Sequence, residues 1–187
     1  MLAHRTRRAA ALLASLAALS GCDSNPSPAP LPSESPSPSS SSPSPSATPP
    51  TLPAAAKGTS EASAKAFVRY WIDTLNYAGP SGDTSELEKV SDKNCAACTA
   101  ITTLIKDVTQ AGGYVRGEGW TVKSTEALGS ERGGVRIIEA QVAVAPQDIL
   151  RKPGGDVVHF DGGSRLKTFW LDRTGNAWTV TRLDQPE

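Results

Sequence analysis

The chain has 187 residues, 5% of them aromatic and 20% charged, and Lys plus Arg balances Asp plus Glu at 19 each. That length suits one domain with accessory segments. The neutral balance, without any run of like charge, excludes a long-range pull toward nucleic acid or an anionic surface. Composition then divides the chain into three zones. Residues 1–21 are apolar and basic, residues 22–53 are a Cys followed by a Pro/Ser tract, and residues 54–187 are mixed. Only the last zone, 134 residues with 16 basic and 17 acidic side chains, has the composition to bury a core.

Arg5, Arg7 and Arg8 form a positive start, and Ala9 to Leu19 form an apolar run broken only by Ser15. The run is far short of the roughly 20 residues a membrane-spanning helix needs, so it reads as a secretion signal. Leu19-Ser20-Gly21-Cys22 resembles the bacterial lipobox. The resemblance implies diacylglyceryl transfer to Cys22 and cleavage before it, by the general export route rather than the twin-arginine one. The expected location is the extracytoplasmic face of the cell membrane, with the lipid on Cys22 as anchor. Residues 23–53 contain 11 Pro and 11 Ser. Such a tract cannot offset its ordering entropy by burial and is expected to be a disordered tether. Extended as polyproline, it reaches up to roughly 100 Å.

From Thr59 or Ser60, which can cap, a helix is expected to run to Gly79-Pro80-Ser81-Gly82. Phe67, Tyr70, Trp71, Thr74 and Ala78 make one apolar stripe, and Val68, Ile72 and Leu75 make a second, so most of this helix should be buried. Asp83-Thr84-Ser85-Glu86 has the spacing of a capping box for a short helix through Val90. A third helix is expected from Cys95 to Ala111, with Ala97, Ile101, Leu104, Ile105 and Val108 on one face, closed by Gly112-Gly113.

After Gly113 the period becomes two. Strands are expected around Trp120–Thr125, at Val135–Ala145, where Ile137-Ile138 breaks strict alternation and points to a bulge or to a strand covered on both faces, and at Val157–Phe160. A closing hairpin, Leu166–Leu171 and Ala177–Leu183, should place Trp170 and Trp178 in one core. Helices followed by strands imply an α+β domain, helices packed on a curved antiparallel sheet of four to five strands.

Phe67-Val68-Arg69-Tyr70-Trp71-Ile72-Asp73-Thr74-Leu75-Asn76-Tyr77, Gly82-Asp83-Thr84 and Cys95-Ala96-Ala97-Cys98 together resemble an uncharacterised family of actinobacterial lipoproteins, a domain of unknown function. The resemblance covers most of residues 59–183. In that family, Ser and Thr beside Pro carry O-linked sugars, which implies the same for the tether. The order of elements, ending in Trp170-Leu171-Asp172 and Ala177-Trp178-Thr179-Val180, is similar to the nuclear-transport-factor-2-like (SnoaL-like) cone. That likeness implies a bent sheet around a long helix and says little about activity.

Cys95 and Cys98 are the only cysteines after Cys22. A redox dithiol at a helix start is one reading. A short structural disulfide is the favoured one, because an exported chain is oxidised and no βαβ unit surrounds the pair. Metal is disfavoured, since zinc takes about four ligands and only His159 could join the sulfurs. Tyr70, Asp73, His159 and Trp170 are the candidates to line a cone pocket, although Asp73 reads more simply as solvent-facing and His159 as a partly buried, satisfied strand residue. No nucleophile-and-base pattern, phosphate loop or cofactor motif is found, so no cofactor is expected. The expected role is a non-catalytic binding module in the cell envelope. The partner would be an envelope protein or a small ligand, and the alternative is a small-ligand carrier or enzyme using the pocket.

Overall fold

A computed structural model describes residues 48–130, 134–175 and 177–185. The signal, Cys22 and the tether up to Ala47 lie outside the described residues. Helix α1 spans Glu61–Ser81. Ser60 caps it by accepting the Ser63 N–H at 3.1 Å, and the Ser63 hydroxyl donates back to the Ser60 carbonyl at 2.7 Å. The helix continues through Gly79 and Pro80 and closes where the Gly82 N–H donates to the Ala78 carbonyl at 2.8 Å.

Helix α2 is one short stretch, Ser85–Lys89. Its start departs from the expected capping box: the Asp83 carboxylate accepts both the Ser85 N–H and its hydroxyl, and Glu86 pairs with Lys89 instead. Helix α3, Ala96–Gln110, begins at Cys95. It stops where Gly113 sends its N–H back to Val108 at 2.8 Å. A side chain at Gly113 would start 2.0 Å from the Leu150 carbonyl, so glycine lets the chain leave α3 against the neighbouring strand.

The strands form two antiparallel sheets, which confirms the α+β class. The larger has four strands, in the order β2 (Trp120–Ser130), β3 (Arg136–Val144), β6 (Gly163–Thr174) and β7 (Ala177–Asp184). The smaller was not anticipated. It joins β1 (Tyr114–Arg116), β4 (Gln147–Leu150) and β5 (Val157–Phe160) in the order β1-β4-β5. Two of its members are three- and four-residue pieces, too short to give a readable alternation in sequence. The expected bulge lies opposite Ile137-Ile138 but on the other strand. Ala127 faces Ile138 and Gly129 faces Ile137, so Leu128 is the extra residue and stands half exposed.

The core lies between α1 and the larger sheet. Phe67, Val68, Trp71 and Ile72 of α1 meet Ile138, Val142, Phe169, Leu171 and Val180, all almost completely buried. Burying each such side chain contributes roughly 1.5–3 kcal/mol. Both expected stripes of α1 are inside. Leu52, which precedes residue 54, packs against the same cluster, and the Tyr70 hydroxyl donates to the Pro50 carbonyl at 3.4 Å. One expectation is corrected: Trp178 is in the core, whereas Trp170 is on the outer face beneath Arg182, whose guanidinium lies 4.3 Å from the ring centre. Phe169, one residue earlier, takes the inner position and meets Trp71 edge-on with ring centres 5.5 Å apart. Alternation along a strand puts neighbours on opposite faces, so only one of them can enter.

Asn76 fixes where the larger sheet starts relative to α1. Its amide oxygen accepts the Trp120 N–H at 2.7 Å, and its amide nitrogen donates to the Trp120 carbonyl at 2.8 Å. Gly119, next in line, has φ +77°, and a Cβ there would fall 2.3 Å from the Asn76 amide oxygen. Replacing Gly119 with Ala is therefore expected to lower the melting temperature, by a stability loss of about 2 kcal/mol. Asn76→Ala should cost about 1–3 kcal/mol by stranding both Trp120 backbone groups. Thermal unfolding of either variant at the wild-type temperature would contradict this clamp.

Candidate functional site

The four pocket candidates are not gathered into one site. Tyr70 is buried, and burial together with the nearby Glu86 carboxylate raises its phenol pKa. Asp73 is exposed on α1; partial desolvation raises its carboxyl pKa and the Arg69 charge opposes the rise. His159 stands on β5 with its Nδ1 2.7 Å from Asp148 and its Nε2 3.6 Å from Asp161. Trp170 is on the outer face of β6. Without a shared cavity, these groups cannot act on one substrate.

Cys95 and Cys98 are joined by a disulfide, and both residues are 1% exposed. The Cys95 sulfur also accepts the Cys98 N–H at 3.3 Å, so the pair serves as the cap of α3. Its burial withholds it from the thiolate attack that exchange requires. Beside it lies a second open depression of about 380 Å³, lined by Ser91, Cys98, Thr99 and Thr102 and by the paired Lys106 and Glu88. Among the described residues, no three His, Cys, Asp or Glu side chains cluster as metal ligands.

The concavity with the character of a binding site lies elsewhere. Past the last core residues of α1, Gly79 and Pro80 leave an open groove of about 250 Å³ between α1, α3 and the small sheet. Leu75, Ile101, Leu104, Ile105, Val115 and Ile149 line it, together with Trp120 and Phe160. The polar side chains of its lining are Asn76, already paired with Trp120, and Gln147; Arg116 also borders it, its guanidinium stacked 3.8 Å over the Tyr114 ring. A groove so built excludes water from apolar groups but presents no acid–base pair. Sequence reading placed Ile101, Leu104 and Ile105 on one face of α3. It had no means to show that part of this face stays uncovered, because the β1-β4-β5 sheet that forms the opposite wall was not legible.

β5 borders the same groove. Its four residues are all exposed, with Val157, Val158 and Phe160 at 50%, 42% and 49%. It pairs with β4 on one side, and among the described residues no strand pairs with its other side.

The chain belongs to DUF6318, a family of unknown function, whose model matches residues 37–184. No curated protein matches it significantly. Among solved structures, the intermembrane space region of the chloroplast protein ARC6 is similar at 16% identity with a TM-score of 0.50, over 65% of this chain and 92% of that one. That likeness is one of fold alone. The chain designated Rd1NTF2_05 matches at 14% identity and a TM-score of 0.36, over 64% of this chain and 96% of that one, a value at which it carries no argument.

The exposed imidazole of His159 is held above its ordinary pKa of 6.5, chiefly by the hydrogen bond to Asp148 and then by the charges of Asp148 and Asp161. Its contribution to stability is present below the unfolded pKa and is lost as pH rises through the raised folded value. In an NMR titration His159 is expected to titrate above 6.5, and Asp148→Asn should move the midpoint downward. An unmoved midpoint would remove Asp148 as the cause.

Proposed function

We propose that this DUF6318 chain is an exported lipoprotein, held at the outer face of the cell membrane by acyl chains on Cys22, whose domain is a non-catalytic binding module. The basic start, the short apolar run and Leu19-Ser20-Gly21-Cys22 support the anchor. The Pro/Ser tether would carry the domain away from the membrane to a partner. No helix among the described residues is long and apolar enough to cross a membrane.

The observation that carries the binding reading is the apolar groove at the end of α1. The interior between α1 and the sheet is filled by Phe67, Trp71 and Phe169, so a pocket for chemistry there has no room. Among the described residues every buried side-chain nitrogen and oxygen has a hydrogen-bond partner. The apolar recess can take one or two hydrophobic side chains or a short alkyl group.

Two measurements test this. Indole, a water-soluble apolar probe, should shift the methyl resonances of Ile101, Ile105 and Ile149 saturably in the full chain. Leu104→Lys, at a half-exposed position, should weaken that binding about tenfold, equal to about 1.4 kcal/mol. Absence of saturable shifts would reject the groove as a binding site. Separately, Cys22→Ala should leave the precursor without lipid, and detergent partitioning identical to the wild type would reject the anchor.

A further inference from the structure

We propose that the free edge of β5 is a docking site for an extended apolar peptide segment with a basic residue opposite Asp161, which adds to the small sheet as a further strand and lays alternate side chains into the adjoining groove. The inference rests on the binding reading of that groove.

The four outer edges of the two sheets are treated differently: β1 lies against α1 and α3. The outer edge of β7 is occupied: the Asp92 N–H donates to the Val180 carbonyl at 2.8 Å, and the Val180 N–H donates to the Val90 carbonyl at 2.9 Å. The outer edge of β2 carries Lys123 and Glu126 and is broken by two register shifts, features that discourage pairing. Among the described residues no segment covers the outer edge of β5, and its pairing with β4 shows no register shift. It is short, yet it offers Val157, Val158 and Phe160 to solvent on both faces. An exposed apolar edge is a template for another strand.

Register connects that edge to the groove. Val115, Ile149 and Val158 lie in one cross-strand row, since Val115 pairs with Ile149 and Ile149 with Val158. Gln147 and Phe160 form the next row of the same face, and Val115, Gln147, Ile149 and Phe160 line the groove. A strand added beyond β5 therefore sends every second side chain to the groove side, and the others beside Val157 and His159.

Charge selects the occupant. β5 is bounded by Asp156 and Asp161, the latter with a 98% exposed side chain, and Asp148 lies across from His159. A second copy pairing antiparallel about the middle of β5 would set Asp156 against Asp161 twice, and like charges directly opposed destabilise a pair. A foreign strand with a Lys or Arg at that position meets Asp161 favourably. Arg151 and Lys152 occupy the turn beyond Asp156, so the acidic character is concentrated at the Asp161 end.

The probe is a capped hexapeptide of alternating isoleucine and valine between two lysines, titrated into the full chain, with amide hydrogen exchange and methyl shifts as readouts. Saturable binding is expected, with protection of the β5 amides that face away from β4 and shifts at Ile149. A glutamate-flanked version should bind about fivefold more weakly at low salt, and the difference should narrow as salt is added. Asp161→Lys, a change at a fully solvated side chain, should reverse that order. A proline in the middle of the peptide should abolish binding. Binding that tolerates the proline, or protection that spares β5, overturns the inference. So does equal affinity for the two flanking charges. Indole binding without peptide binding overturns strand addition while the binding reading stands. Failure of both probes rejects both.

Discussion

The fold is organised around the indole of Trp71. It is fully buried on α1, its ring meets Phe169 at the centre of the larger sheet, and its N–H donates to the Ser91 hydroxyl at 2.8 Å. Ser91 belongs to the segment whose backbone covers the edge of β7. One side chain thereby couples the helix, the sheet and the edge protection. A second indole repeats the device, since Trp178 donates to the Ser63 hydroxyl at 3.3 Å near the start of α1. A buried N–H without a partner would cost its desolvation, so these two serines fix where each ring can sit.

That arrangement also decides where binding can occur. Large side chains fill the interval between α1 and the larger sheet along most of the helix. Their bulk ends at Leu75, and Gly79 and Pro80 follow. The small sheet and α3 then enclose a recess that the helix itself does not fill. The Asn76 amide, bonded to both backbone groups of Trp120, holds the start of β2 against α1 where both line the recess.

Electrostatics has a minor part in holding the domain. Pairs such as Lys65 with Glu61 and Lys89 with Glu86 are local and solvated, and such pairs contribute little. Several cations lie over aromatic rings instead, Arg116 over Tyr114 and Arg173 over Trp178 among them. The disulfide closes only a short loop, so its contribution belongs near 2 kcal/mol, the low end for such bonds. Hydrophobic burial around Trp71 remains the main stabilising term.

Periodicity determined α1, α3, the long strands and the α+β class, because repeats of about four and of two are visible in runs of nine or more residues such as α1, α3 and β3; the five-residue α2 was legible only from the turn and capping residues before it. The Cys95–Cys98 pairing was also legible, since two cysteines three apart at a helix start have few other partners. What only the tertiary structure decided depends on contacts between distant segments. β1 and β4 are too short to announce themselves and become strands only by pairing, β1 with β4 through Val115 and Ile149, and β4 with β5 on its other side. Trp170 and Phe169 are adjacent and both aromatic, and which one enters the core follows from the register of β6 against β3 and β7. Tyr70, Asp73, His159 and Trp170 each had a residue type suited to a pocket, but the fold places them apart: Tyr70 and Asp73 on α1, Trp170 on the outer face of β6, and His159 on the exposed β5 of the other sheet. The groove and the open edge of β5 arise from what was left uncovered, and uncovered surface is a property of the assembled fold that no local pattern encodes.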